Sequence, residues 1–185
     1  MSKKIASFVS VLSCNEAPRK HFSINGVVTC KRGHVAAVLD NWGKSFTISF
    51  DINLSGAYTS TTHWRNLFVI SSSGSRSGIG ARFPSVFAVK NALLISSFVG
   101  TSSQYVDYRF ELENKKDYHI EITQKINVHL AFILMCIKSN GVLEYCWFIK
   151  TPTIFEKVFV YTSGPHDNNW YSTMGTFKNL KISSH

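Results

Sequence analysis

Residues 45–52 alternate without a break. Phe46, Ile48, Phe50 and Ile52 are apolar, and Ser45, Thr47, Ser49 and Asp51 are polar. A period of two places one set of side chains on a buried face and the other toward water, which predicts a half-buried strand. A slip of one residue would turn all four apolar groups outward, so the register is tightly specified. Weaker versions of the signature recur. Val35, Ala37 and Leu39 share one side of a short strand, and Asp40-Asn41-Trp42-Gly43 predicts the turn into 45–52. Residues 64–70 are almost continuously apolar, as in a strand covered on both faces. Further strands are expected over 85–89, 93–99 and 105–112, and over 118–123, where Tyr118, Ile120 and Ile122 alternate with His119, Glu121 and Thr123. Residues 129–137 and 142–149 form a hairpin across Asn140-Gly141, and 157–161 and 176–183 are the last strands.

The punctuation agrees. Asn25-Gly26 predicts a tight turn, and 55–62, 71–80, 100–104 and 162–175 are polar or glycine-rich loops. No segment of a dozen residues carries a 3.6-residue period, and no internal repeat is present. About a dozen short strands divided by turns predict an all-β, antiparallel β-sandwich, with a β-barrel as the lesser alternative. Trp64, Phe68, Phe87, Phe148, Phe159 and Tyr161 are the expected aromatic core.

Composition narrows the class. At 185 residues the chain suits one domain with a full core, and its 14 Phe, 7 Tyr and 4 Trp argue against disorder. The net charge of +9 favours anionic partners. More than half of that excess lies in the first 34 residues, where Lys3, Lys4, Arg19, Lys20, Lys31 and Arg32 face Glu16 alone. The expected organisation is therefore a basic N-terminal segment over 1–32 followed by the sandwich over 33–185. Met1 to Lys4 with residues 5–13 fits a signal-like region and a first strand about equally well. No stretch reaches the ~20 apolar residues that span a bilayer. Cys14, Cys30, Cys136 and Cys146 allow three full pairings and contain no CxxC. Across a two-residue turn Cys136 and Cys146 fall on opposite faces, which leaves free thiols and one bridge equally open. Asn53-Leu54-Ser55 is the single glycosylation sequon.

The order of pieces carries a resemblance. The strand at 46–52 is followed by Trp64-Arg65-Asn66-Leu67-Phe68, then Gly80-Ala81-Arg82-Phe83-Pro84-Ser85-Val86-Phe87, the strand at 118–123, Val158-Phe159-Val160-Tyr161, and Gly175-Thr176-Phe177-Lys178-Asn179-Leu180-Lys181-Ile182. Over residues 33–183 this resembles the concanavalin A-like lectin/glucanase superfamily, and within it the jelly-roll domains of invertebrate secreted and surface proteins. The resemblance implies a jelly roll whose closing segment returns beside an early strand, and an extracellular or cell-surface location. Function does not follow from it, because such sandwiches host many roles.

Tests of chemistry leave a binding module. Glycoside hydrolysis needs two carboxylates flanking one bond. Glu111 and Glu113 are the only acidic i, i+2 pair and sit before the turn at Asn114-Lys115-Lys116, where charges are solvated. There is no Gly-x-Ser-x-Gly elbow, and His119 is expected outward and solvated. Asp167-Asn168-Asn169 is the best supply of oxygen ligands for calcium, but such residues read first as turn formers, so no metal and no cofactor are expected. No nucleic-acid-binding module is recognisable. Residues 165–172 resemble the aromatic membrane-binding loop of actinoporins over that loop alone, which makes a membrane-active cytolysin the minor alternative. The sequence thus predicts a non-catalytic recognition module for carbohydrate, including anionic glycans. A protein-binding adhesion module is the alternative, so the expected partner is a glycan or a cell-surface protein. The candidate ligand-binding residues are Arg76 and Arg82 around the Gly/Ser loop and Asp167, Asn168, Trp170 and Tyr171 near the end.

Overall fold

The alternating stretch forms strand β3 (Phe46–Leu54), buried at every second residue along its whole length. In a computed structural model, residues 20–42, 45–55, 64–74, 80–98, 105–127, 132–149, 154–166 and 174–184 are described, with backbone only at Lys20, Asn41, Tyr105 and Asn127. The other strands are β1 (Lys20–Val27), β2 (Val35–Trp42), β4 (Arg65–Ser71), β5 (Ser85–Val89), β6 (Ala92–Phe98) and β7 (Tyr105–Glu111). They continue with β8 (Asp117–Asn127), β9 (Phe132–Ser139), β10 (Val142–Ile149), β11 (Phe155–Tyr161) and β12 (Gly175–Ser184). Among the described residues no helix is long and apolar enough to cross a membrane.

The strands make two six-stranded antiparallel sheets. The first runs β1-β12-β3-β8-β9-β10 and the second β2-β11-β4-β5-β6-β7. The closing strand β12 lies between β1 and β3, as the jelly-roll resemblance implies, and β1, from the basic segment, is the outer strand of that sheet. β12 enters through Gly175, at a φ of +143°, where a Cβ would fall on the carbonyl oxygen of Asn53. Only glycine lets the two backbones approach this closely.

The core lies between the sheets and is joined by aromatic contacts. Phe50 and Phe177 of the first sheet meet edge to face at 5.5 Å, and Phe50 meets Phe68 of the second at the same distance. Trp42 stacks on Phe46 at 4.9 Å. Such pairs add about 0.5–1.5 kcal/mol each to the burial of their surface. Trp42 is therefore the buried end of β2, where the sequence predicts a turn, because its ring is more valuable in the core than at a loop tip. The aromatic core is otherwise selective. Phe68 is in it, whereas Phe148 is 61% exposed and Phe87, Phe159, Tyr161 and Trp64 lie outside the inter-sheet cluster.

Two irregularities change readings made from the sequence. Asn25-Gly26 is a bulge inside β1 rather than a turn. The register against β12 shifts between Ile24 and Val27, Gly26 has a φ of +82°, and its N–H donates to Asn179 Oδ1 at 2.9 Å. In the hairpin, Asn140 and Gly141 both have positive φ, as a two-residue turn requires. A second bulge between Leu143 and Tyr145 then advances β10 by one residue and brings Cys146 opposite Cys136. Their Cα atoms are 4.2 Å apart and the sulfurs are bonded. Cys30 is a free thiol whose burial pushes its pKa to about 12.

Candidate functional site

Along β5 the side chains of Val86 and Ala88 enter the core, so Ser85, Phe87 and Val89 point the other way. The ladders extend this outer face. Ser85 stands opposite Val69 on β4 and Ser96 on β6, and Phe87 stands opposite Leu94. On β7, Asp107 pairs with Ser96, Arg109 with Leu94 and Glu111 with Ala92, which puts all three charged residues on the same face. Farther along the sheet, Tyr161 of β11 stands opposite Val69.

This outer face is recessed. Ser85 and Ser96 are wholly buried and Phe87 is only 5% exposed. Part of the cover is Arg82, whose guanidinium carbon lies 5.3 Å from the centre of the Phe87 ring and whose Nη1 donates to Ser96 Oγ at 3.3 Å. Backbone bonds hold Arg82 there. Phe98 N donates to Arg82 O at 3.0 Å and Phe83 N to Ile70 O at 2.7 Å, so the segment is threaded between β4 and β6. Upstream, Ser71 Oγ donates to Gly80 O at 3.1 Å and accepts from Gly74 N at 2.9 Å, which closes the base of the Gly/Ser loop. At the far side of the face Arg109 lies over the Trp64 ring at 5.6 Å and donates to Glu111 Oε1 at 2.9 Å.

Of the six buried side-chain polar atoms that lack a hydrogen-bond partner among the described residues, one lies on this face. Ser85 Oγ is buried and has no hydrogen-bond partner among the described residues. An unmet buried hydroxyl costs about 1–3 kcal/mol. Across the ladder it faces Ser96, whose hydroxyl accepts from Arg82 and whose neighbour on β7 is Asp107, and Phe87 lies two residues along the same face. That set can hold hydroxyls by paired donors and acceptors, face a ring with apolar surface, and grip an acidic group through arginine.

Of the six ligand-binding residues predicted from sequence, Arg82 belongs to this face. Arg76, Asp167, Asn168, Trp170 and Tyr171 lie outside the described residues. Ser85, Ser96, Asp107 and Arg109 are not among the binding residues expected from sequence, and Trp64 is expected there as core. The signal for two of them was present in the alternation of Asp107, Arg109 and Glu111 with Val106, Tyr108 and Phe110. Glu111 pairs with Arg109, and Glu113 pairs with Lys116 at 2.7 Å, both in solvent.

The outer face of the first sheet carries a different cluster. His119 is outward, as expected, yet its Nδ1 lies 2.6 Å from Asp51 Oδ1, and Asn179 Nδ2 donates to Asp51 Oδ2 at 2.6 Å. Burial pushes the Asp51 carboxyl up, but the hydrogen bonds from Asn179 and His119 and the nearby charges of His119 and Lys178 outweigh it, so the net shift is downward. No cluster of metal-ligating side chains occurs among the described residues.

No family model and no curated protein matches the chain in sequence. Solved structures match it in shape. The binding domain of botulinum neurotoxin serotype D aligns with 89% of this chain at a TM-score of 0.56 and 13% identity, over 43% of its own length. The serotype D ligand binding domain in complex with N-acetylneuraminic acid aligns with 78% at 0.54 and 15% identity, over 34% of its length. The chain thus spans less than half of these toxin domains. The CBM40 of the IT-sialidase of Ruminococcus gnavus aligns with 88% of this chain and 91% of its own, at 0.54 and 9% identity. At such identities the likeness is one of fold. The chain is an all-β, antiparallel sandwich with the jelly-roll arrangement of strands.

Proposed function

We propose that the chain is a non-catalytic module that binds carbohydrate on the outer face of the second sheet, with acidic sugars preferred. The observation that carries this reading is the unpartnered hydroxyl of Ser85, cross-strand from Ser96, whose own hydroxyl accepts from Arg82. A sugar acid that draws Arg82 away from Ser96 gains a charge-assisted bond and uncovers two hydroxyls, Ser85 and Ser96, for its own polar groups. Phe87 supplies an apolar floor. Arg76, Asp167, Asn168, Trp170 and Tyr171 are kept in this reading as further ligand-binding candidates from the sequence. Support comes from the fold neighbours, one of them solved with the acidic sugar N-acetylneuraminic acid. The disulfide between Cys136 and Cys146 fits an oxidising, extracellular setting at a cell surface. No cofactor takes part.

A glycan array probed with wild type and with Arg82→Ala tests the proposal. Retention of sialylated or sulfated glycans by wild type, falling about tenfold in the variant, is the expected outcome. An array on which wild type retains nothing would remove the carbohydrate reading. Adhesion through protein is the second reading, favoured by the outer strand β10, where Val142 is 65%, Leu143 58% and Phe148 61% exposed.

A further inference from the structure

At the end of the sandwich where β1 leads into β2 and β11 leads toward β12, the second sheet carries a row of basic side chains. Arg32 and His34 precede β2, His166 follows β11, Arg65 opens β4, Lys90 follows β5, and Lys115 and Lys116 follow β7. In the spatial order β2-β11-β4-β5-β6-β7, every strand but β6 brings a basic side chain to this one end. We infer that this end is a docking surface for a linear acidic polysaccharide, held by charge along its length. The part of the sheet-face site around Arg82, Ser85 and Ser96 lies at the opposite end, beside the connection between β4 and β5, so the two can be tested apart.

The row is long enough for a chain rather than a single sugar. Five strand intervals at ~4.8 Å span roughly 24 Å. Lys31, Arg32, Lys90 and Lys115 are exposed and have no carboxylate partner among the described residues. Of the local acids, Glu111 is engaged with Arg109 and Asp117 with Asn53 at 2.9 Å, while Glu113 pairs with Lys116 and offsets that one charge of the row. The backbone beneath the cations is fixed. Arg32 Nε donates to Pro165 O at 2.7 Å and Lys31 N to Thr162 O at 2.7 Å, which ties the connection before β2 to the one after β11. Leu112 N donates to Asn91 O at 2.6 Å, which ties the turns after β5 and β7, and Lys115 N donates to Leu54 O at 2.6 Å, which ties the turn after β7 to the end of β3. Lys90 and Lys115 also have φ of 50° and 61°, where turn geometry alone would select glycine or asparagine.

The ligand class follows from what the row lacks. Single-stranded nucleic acid is held by bases stacking on aromatic rings as well as by charge. The described residues of this row offer no open ring, since Trp64 beside Arg65 lies under Arg109. A sulfated or carboxylated polysaccharide needs only cations at intervals, and many weak contacts along one chain sum to firm retention.

Immobilised heparin eluted with a salt gradient is the test. The variant Arg32→Ser/Lys90→Asn/Lys115→Asn removes three cations and suits both positive-φ positions. Lys125→Ser/Lys157→Ser/Lys181→Ser removes three exposed cations elsewhere and serves as the charge-matched control, with folding of both checked by circular dichroism. The end variant should elute at less than half the salt that wild type needs, and the control near wild type. Equal shifts in the two would overturn the inference, as would wild type passing unretained at ~0.1 M salt or a loss of retention in Arg82→Ala alone. Displacement from the resin by single-stranded RNA as readily as by free heparin would overturn the polysaccharide assignment. A failure here leaves the array result with Arg82→Ala untouched, and the converse also holds.

Discussion

Two residues bear opposite relations to stability. Ser85 keeps a hydroxyl in a dry site with no partner among the described residues, so removing it relieves a cost. Ser85→Ala should raise the stability of the ligand-free protein by about 1 kcal/mol in denaturant titration, and should weaken binding of an acidic glycan about fivefold. A loss of stability would mean that the hydroxyl is satisfied after all. Asp51 is the reverse case, since its carboxylate joins β8 through His119 and β12 through Asn179. Asn179 in turn accepts from the N–H of Gly26, so one carboxylate supports the bulge that seats the outer strand β1. Because the folded carboxyl titrates below its ordinary value, its contribution is complete above the ordinary aspartate range. It is lost as pH falls through the lowered value. Asp51→Asn should cost about 1–2 kcal/mol at neutral pH. Melting curves of wild type and variant should converge on acidification, and a gap that persisted at pH ~2 would contradict this.

The hairpin shows what sequence could and could not give at the level of elements. Asn140-Gly141 announced the turn, and strict alternation from it set Cys136 and Cys146 on opposite faces. The bulge between Leu143 and Tyr145 reversed that, and nothing in Leu143-Glu144-Tyr145 marks a bulge. The resulting account makes a sharp prediction. Deleting Glu144 should remove the extra residue and leave Cys136 still opposite Cys146, so thiol titration of the denatured protein should find the bridge intact. Two new thiols would contradict the register. Reducing the bridge should cost about 2–3 kcal/mol, as for a loop of this length. Strand positions were legible because period-two burial writes itself into β3, β8 and β9. Asn25-Gly26 misled for a physical reason: the conformations that suit a turn also suit a bulge. The site was legible only at Arg82. Ser85 and Ser96 are unremarkable in sequence and gain meaning only when the β5–β6 ladder places them side by side.

At the scale of the molecule, the two sheets divide the roles. Phe50, Phe68 and Phe177 hold them together from within. The outer face of the first sheet is knit by Asp51, His119, Asn179 and the Glu121–Lys138 pair at 3.2 Å. The outer face of the second sheet leaves a buried hydroxyl unmet beside a stacked arginine, and that contrast is the reason for placing recognition there. The measurement that bears on it most directly is the change in backbone amide resonances when a sialylated or sulfated oligosaccharide retained on the array is titrated into the labelled protein. The account predicts that Ser85, Phe87, Ser96, Asp107 and Arg109 shift together and saturably, while Ser49, Glu121 and Lys181 of the first sheet hold still. Shifts confined to the first sheet or to β10, with Ser85 and Ser96 unmoved, would contradict it.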